Sequence, residues 1–428
     1  MLDDELPRVL FVSVNPFSAT SNNGKTFASF FEGYPSERLA QLYFHRELPT
    51  STAAGRYFRL TDEHVLAALP RPWHATGEPL TPAAAEDRKI SQRTHTALKS
   101  SRTARLARQI LWSSVRLDNP RLRAWLDEFS PEVVFFCGGD AISLYPKVQR
   151  IIDRHGAASV LYITDDYVLS VKDANLAHQV SRLWLRRSFL RFARRANLVL
   201  TIGQQMSDVY HREFALSSRP IMNMVDVPRT QPSARTSASA PLRLLYAGSL
   251  HSNRWKTLGA LVDSIERLRG QGVEACLRIV GPPPTPEQLS RVARAPFSAH
   301  DGLLDPEELR DAIADSDCLV HVEASDPRSM AVTTLSVSTK IPEYLSSGRP
   351  ILAVGPRGLA SLAYLREADV AVTATEDASQ LDDAVASLAA DPGLRRDLAA
   401  RGFALARKNH DGAKVRHDLW AELRRLRK

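Results

Sequence analysis

The chain has 428 residues, 44% of them apolar and 24% charged, with 56 Lys and Arg against 48 Asp and Glu for a formal net charge of +8. At roughly 150 residues per domain, that length implies two or three globular domains, and the composition excludes a disordered, collagen-like or coiled-coil chain. No apolar run reaches the roughly 20 residues of a membrane span, and the acidic start Met1–Pro7 lacks the basic, apolar and small-residue zones of a secretory leader. Cys137, Cys276 and Cys318 are too scattered for a metal or disulfide pattern, which suits a reducing cytoplasm. The basic surplus favours anionic partners.

The first elements are strand-length apolar runs alternating with helical segments. Arg8–Val14 is a strand candidate, followed by a polar loop and a helix beginning near Lys25 with Phe27, Phe30 and Phe31 on one side. Val133–Phe136 ends at Gly138-Gly139-Asp140, Ser159–Ile163 at Thr164-Asp165-Asp166, and Leu198–Ile202 at Gly203. Thr230–Pro241 is small, polar and Pro-punctuated, the composition of a linker. A second alternation follows: strands at Leu242–Ala247, Cys276–Val280, Cys318–Val322 and Ile351–Val354, and helices at Leu258–Arg269, Pro306–Ala314, Ile341–Ser347, Gln380–Leu388, Gly393–Lys408 and Lys414–Arg427. The pattern predicts two parallel α/β sheets. In such sheets ligands sit beyond the carboxyl ends of the strands, so the residues just after each strand are the functional candidates.

Ala19–Thr26 satisfies a relaxed P-loop rule, in which Lys25 and backbone amides cradle phosphates and Thr26 holds Mg²⁺. Ala19 stands in place of the first Gly, however, and Asn15–Ser18 separate the motif from its strand. The plainer reading is a Gly-containing loop whose Asn residues tolerate unusual backbone angles; an intermediate one is a loop in which Asn22, Asn23, Gly24 and Lys25 line an acceptor cleft. Ser338–Leu352 is more informative. Ser338 or Thr339 can cap a helix whose first turn tolerates Pro342; Lys340 adds charge beside exposed amides suited to a diphosphate, and Glu343 can accept bonds from the vicinal hydroxyls of a ribose. Spacing alone leaves an ordinary surface helix open.

This segment resembles the donor-binding signature of glycosyltransferase family 4, a retaining family of GT-B fold. Leu244–Leu250 with Arg254, Trp255, Lys256 and Thr257 is similar to that family's strand, Gly turn and basic pair that grip the donor diphosphate. Leu277–Gly281 resembles its next strand-to-Gly step, Gly302–Leu309 its base-side loop, and Leu198–Gly203 with Pro220–Asp226 its last strand and turn before the linker. The resemblance implies two Rossmann-like α/β domains facing across a cleft: an acceptor domain over 1–227, a linker over 228–242, a donor domain over 243–410, and a terminal helix over 411–428 returning to the first domain. It implies transfer of a sugar from a UDP, GDP or dTDP sugar to an acceptor hydroxyl, with retention and without a metal. Gly248, Ser249, Arg254, Lys256, Gly281, Leu303, Ser338, Thr339, Lys340 and Glu343 are the implied donor-binding residues. The resemblance further implies that Arg254 and Lys256 stabilise the leaving diphosphate.

The sequence departs from the family at one place. The family's two glutamates are separated by seven residues; counted back from Glu343, the first position is Leu335. Glu323, Asp326, Arg328 or the amides of Ser329–Val332 are the available replacements, in a polar segment read as a binding loop. Asp165 and Asp166 are placed to orient the acceptor hydroxyl or hold its proton, the rival being a helix cap; Gly139 and Asp140 are a second acceptor-side pair. The acceptor expected is a glycan, a lipid-linked glycan or a small molecule. Two basic stretches, Arg88–Arg108 and Arg182–Arg195, raise peripheral contact with an anionic membrane at its inner face; for Arg182–Arg195 a helix covering the sheet is the preferred account, and no nucleic-acid motif is present. The alternatives from other classes are a non-catalytic nucleotide-sugar-binding relative and a P-loop NTPase using Lys25 and Thr26.

Overall fold

The computed structural model describes residues 6–19, 22–68, 77–80, 108–109, 111–113, 119–169, 176–233 and 241–427. The stretch 88–107 and linker residues 234–240 lie outside the described residues, as does most of the expectation placed on each. The chain divides into two compact units, one of Met1–Ile221 with Ala413–Lys428, the other of Met222–Gly412.

The first unit is built on an eight-stranded sheet: β1 (Val9–Ser13), β2 (Leu39–Tyr43), β3 (Arg56–Arg59), β4 (Glu78–Leu80), β5 (Val133–Cys137), β6 (Ala158–Ile163), β7 (Leu198–Thr201) and β8 (Arg219–Pro220), in the order β4-β3-β2-β1-β5-β6-β7-β8. Every pairing is parallel except β3 with β4. The central strands are buried along their whole length, which explains their unbroken apolar sequence. β2 escapes that signature because Gln41 sits in its middle. Its side chain is fully buried and satisfied, accepting from the Phe17 amide at 2.8 Å and donating to Ser13 Oγ at 3.0 Å. The helices are α1 (Asn22–Ser29), α2 (Asp62–Ala68), α3 (Pro120–Phe129), α4 (Leu144–His155), α5 (Leu176–Ala193) and α6 (Gln204–Phe214). The core between α1 and the sheet is aromatic: Phe11 lies 5.0 Å from Phe17 and 5.1 Å from Phe135, and Phe30 lies 5.4 Å from Tyr162. Helix α5 buries Leu185, Phe189 and Phe192 while leaving Leu183 and Trp184 exposed.

The second unit holds β9 (Leu242–Ala247), β10 (Ala275–Val280), β11 (Ser298–His300), β12 (Cys318–Val322), β13 (Ile351–Val354) and β14 (Ala371–Ala374), ordered β11-β10-β9-β12-β13-β14 and parallel throughout. Its helices are α7 (Arg254–Gly270), α8 (Pro286–Val292), α9 (Pro306–Asp315), α10 (Pro327–Thr333), α11 (Lys340–Ser346), α12 (Ala360–Glu367), α13 (Ala378–Ala390) and α14 (Pro392–Asn409). The core is mostly aliphatic: Leu258, Leu261, Val262 and Ile265 of α7 pack on Leu244, Leu277, Val320 and Leu352 of the sheet. The segment read as a polar loop contains α10, whose N-cap Asp326 accepts from the Ser329 amide at 3.0 Å, with Pro327 in the first turn.

The division falls at residues 221 and 222 rather than after 227. His410 explains this: its Nδ1 lies 2.7 Å from the Asn223 carbonyl, and the backbone of Val225 pairs with His410 and Gly412 on both sides. The last helix, α15 (Gly412–Leu426), packs within the first unit beyond Gly412: Trp420 Nε1 donates to the Phe30 carbonyl at 3.0 Å, and Arg416 pairs with Glu32 at 2.7 Å. Among the described residues no helix is long and apolar enough to cross a membrane. The three cysteines are free thiols, and burial pushes Cys137 and Cys318 up to about 12.

Candidate functional site

In the second unit the strand order reverses between β9 and β12, which pair directly. Such a switch point opens the sheet's carboxyl edge for a ligand. The residues leaving these two strands are Gly248 after β9 and Glu323 after β12.

Gly248 leaves room for Lys340. A Cβ on Gly248 would stand 1.7 Å from Lys340 Nζ, so any side chain there displaces the ammonium. Lys340 Nζ lies 5.3 Å from the centre of the Tyr246 ring, a cation–π contact. Tyr246 is fixed in turn by donating to the Ser249 carbonyl at 2.7 Å, and Tyr344 of α11 bridges to the Ala247 backbone by accepting from its amide at 3.1 Å. Gly281 sits against the Gly248 carbonyl, where a Cβ would come within 2.2 Å, and its amide donates to the Gly302 carbonyl at 2.9 Å.

The turn from β9 into α7 is strained. Ser252 and Asn253 both have left-handed backbones, at φ 55° and 59°. The turn is held by Asn253 Nδ2 donating to Asp326 at 2.9 Å and by Ser329 Oγ donating to the Ser252 carbonyl at 3.1 Å. This conformation costs on the order of 1–3 kcal/mol per residue and persists where surrounding bonds over-determine it. Its result is the position of Arg254, the first residue of α7, whose Nη2 donates to Glu323 Oε2 at 3.2 Å.

Glu323 is 3% exposed. Burial raises its carboxyl, but His321, whose Nε2 lies 3.3 Å away, and then Arg254 outweigh it and hold it at about 2. Burial lowers Arg254, an effect outweighed by Glu323, so its guanidinium is firmly charged. Lys340 goes the other way: burial, with the charge of Arg254 added, pushes its ammonium down to about 8 against the pull of Glu323 and Glu343.

Arg254, Lys340, Gly248 and Gly281 are therefore gathered at one edge, with Ser249 beside them. Ser338 accepts from the Lys340 amide at 3.4 Å, while Thr339, just before α11, and Glu343, on it, are exposed. Lys256 is not gathered with Arg254. Residues two apart on a helix face different ways, and its ammonium lies over Trp255, 5.4 Å from the ring centre. Leu303 is 70% exposed. Leu335, at the position of the family's first glutamate, is 3% exposed and apolar. The sequence reading passed over His321 and Tyr246, because both lie inside apolar strands and read as core.

In the first unit Asp166 Oδ1 accepts from the amides of Val168 and Leu169 at 3.0 and 3.1 Å and from Tyr210 Oη at 2.7 Å. Asp165 Oδ2 accepts from Thr164 Oγ1 at 3.1 Å and Tyr167 Oη at 3.2 Å. Gly139, Asp165 and Tyr167 share one small recess; Asp140 is exposed nearby in sequence. Helix α1 begins at Asn22, so Asn23, Gly24 and Lys25 are helical. A Cβ on Gly24 would meet the Pro16 carbonyl at 2.3 Å, a packing reason for the glycine that needs no phosphate.

Residues 241–391 match the family model described as glycosyl transferases group 1. Across nearly the whole chain the fold is that of trehalose-phosphate synthases. The enzyme from Burkholderia multivorans matches with a TM-score of 0.61 at 10% identity, covering 98% of this chain and 97% of that one. The UDP-forming enzyme from Burkholderia xenovorans in complex with glucose-6-phosphate matches at 0.58 and 10% identity, covering 97% and 100%. The E. coli structure described as trehalose-6-phosphate bound with UDP-2-fluoro glucose matches at 0.57 and 10% identity, covering 97% and 99%. No curated protein matches the chain in sequence. The fold is thus the GT-B fold of these structures, and residues 241–391 are similar to the group 1 glycosyl transferases.

Proposed function

We propose that the chain transfers a sugar from a nucleoside-diphosphate sugar to an acceptor hydroxyl, with retention and with protein cations in place of a metal. The observation that carries this reading is the pair Arg254 and Lys340 at the β9/β12 edge, a positive centre with no counterpart in the first unit's strand-end aspartates. The donor's diphosphate binds there, and Glu343 and the Gly302–Leu303 turn recognise the nucleoside. As the bond from the anomeric carbon to the diphosphate oxygen breaks, negative charge grows on that oxygen and is met by cations already in place. The acceptor oxygen bonds to the anomeric carbon on the same face, and its proton passes to the departing diphosphate. Asp165 orients the acceptor hydroxyl, and the bonds to Asp166 hold that loop in shape. UDP is the favoured nucleotide because a solved structure of this fold is bound with UDP-2-fluoro glucose, and a sugar phosphate is the favoured acceptor because another is in complex with glucose-6-phosphate.

Leu335 favours a second reading. A buried leucine replaces a carboxylate expected at the sugar, so a relative that binds the donor without turning it over fits the same geometry. Thermal shift with UDP, GDP and dTDP sugars selects the donor, since a ligand of the native state raises the melting point. Turnover is then compared in wild type, Arg254→Ala and Glu343→Ala. Loss in both variants supports transfer. Binding without turnover in wild type supports the second reading, and variants as active as wild type sink the site.

A further inference from the structure

The geometry points to Glu323 as a positioning residue: its buried carboxylate fixes the Arg254 guanidinium and is the counter-ion that lets Arg254 and Lys340 stand charged at the same edge. The inference rests on the donor reading and adds to it a role for a residue that touches no substrate.

Glu323 is closed off from a sugar. It is almost fully buried, its Oε2 accepts from Arg254 at 3.2 Å, its Oε1 faces His321 at 3.3 Å, and its carbonyl accepts from Thr257 Oγ1 at 3.1 Å. It therefore does not replace the carboxylate missing at Leu335. What it does follows from its neighbours. Arg254 and Lys340 repel each other inside a largely desolvated edge, where such repulsion is strong. The charged groups facing Lys340 are Arg254 from α7, Glu323 from the end of β12, and Glu343 from its own helix; Tyr246 of β9 presents its ring. Of the two carboxylates, Glu343 is exposed, whereas Glu323 is buried and bonded to Arg254. An arginine tethered by one nitrogen keeps its planar fork in a set orientation for a phosphate.

UDP binding is measured by calorimetry from pH 7 to pH 10, a range in which the diphosphate stays ionised. Wild-type affinity is expected to fall as pH rises through about 8, where Lys340 loses its proton. Glu323→Gln keeps the shape and removes the charge. It is expected to weaken UDP about tenfold and to move the fall about one pH unit lower, because Lys340 then faces Arg254 uncompensated. Glu323→Asp keeps the charge and shortens the reach; it is expected to lose affinity with the midpoint unmoved, and it serves if the Gln variant does not fold. An unmoved midpoint in Glu323→Gln, or an Asp variant that binds like wild type, overturns the inference alone. A wild type that binds no nucleoside diphosphate overturns the donor reading and this inference with it.

Discussion

The carboxyl edges of the two sheets treat ionisable groups in opposite ways. In the first unit, the strand-end aspartates are met by neutral donors: two amides and a tyrosine for Asp166, a threonine and a tyrosine for Asp165. In the second, one buried carboxylate bonds Arg254 while the ammonium of Lys340 lies over the Tyr246 ring within reach of both charges. The first arrangement lowers the energy of the resting protein. The second stabilises the Arg254–Glu323 pair but leaves Lys340 with its ammonium pushed down, the one group there that an anion would favour. Strained charge of this kind is where function departs from what folding alone favours.

Lys340→Met tests that contrast most severely. Turnover should fall about a hundredfold to a thousandfold, while the melting temperature rises, because a cation that burial has already pushed down to about 8 is gone. A variant that loses both activity and stability would show Lys340 to be a structural ion.

Acid should separate the units next. Burial pushes His410 down to about 4, against the pull of the Asn223 carbonyl. Between that value and the ordinary 6.5, the unfolded chain takes up a proton that the folded chain refuses. Stability is then complete above pH 6.5 and declines by up to about 3 kcal/mol on the way to pH 4. Glu323, held at about 2, extends the loss below its ordinary 4.5. Both groups lie in the second unit. Hydrogen exchange across this range should therefore show the amides around His410 and Glu323 losing protection; protection there that does not change with pH would contradict the account.

The smallest effect is expected at Asp166→Asn. Its amide group cannot accept from all three donors as well as a carboxylate does, so denaturant unfolding should register a loss of about 1–3 kcal/mol. Asp165→Asn, by contrast, should lower turnover with less change in stability. Reversed outcomes would exchange their roles.

Much of this was legible in the sequence, and the rest was hidden for physical reasons. Mostly apolar runs gave away β1, β5, β6, β7, β9, β10, β12 and β13, five of them closed at once by Gly or within two residues by Asp, because strands covered on both faces hold few polar positions. β2 was hidden by Gln41, whose burial becomes acceptable only when Ser13 and Phe17 supply its partners. Helix α10 was missed although Asp326 and Pro327 form a capping signal, because the residues after them have no apolar face. Lys340 and Glu343 were readable as a local motif. The pairing of Arg254 with Glu323 was not: the two lie 69 positions apart, and only the adjacency of β9 and β12 joins them. The resemblance set Lys256 beside Arg254 as a basic pair; in the structure the Lys256 ammonium lies over Trp255, and the ammonium that feels the charge of Arg254 is that of Lys340.

The notch at Gly248 also constrains how this protein can change over generations. An alanine there would meet the tip of the Lys340 side chain and turn its ammonium off the Tyr246 ring. The two positions are thus coupled through the placing of one charge: a filled position 248 moves the cation before it touches the backbone.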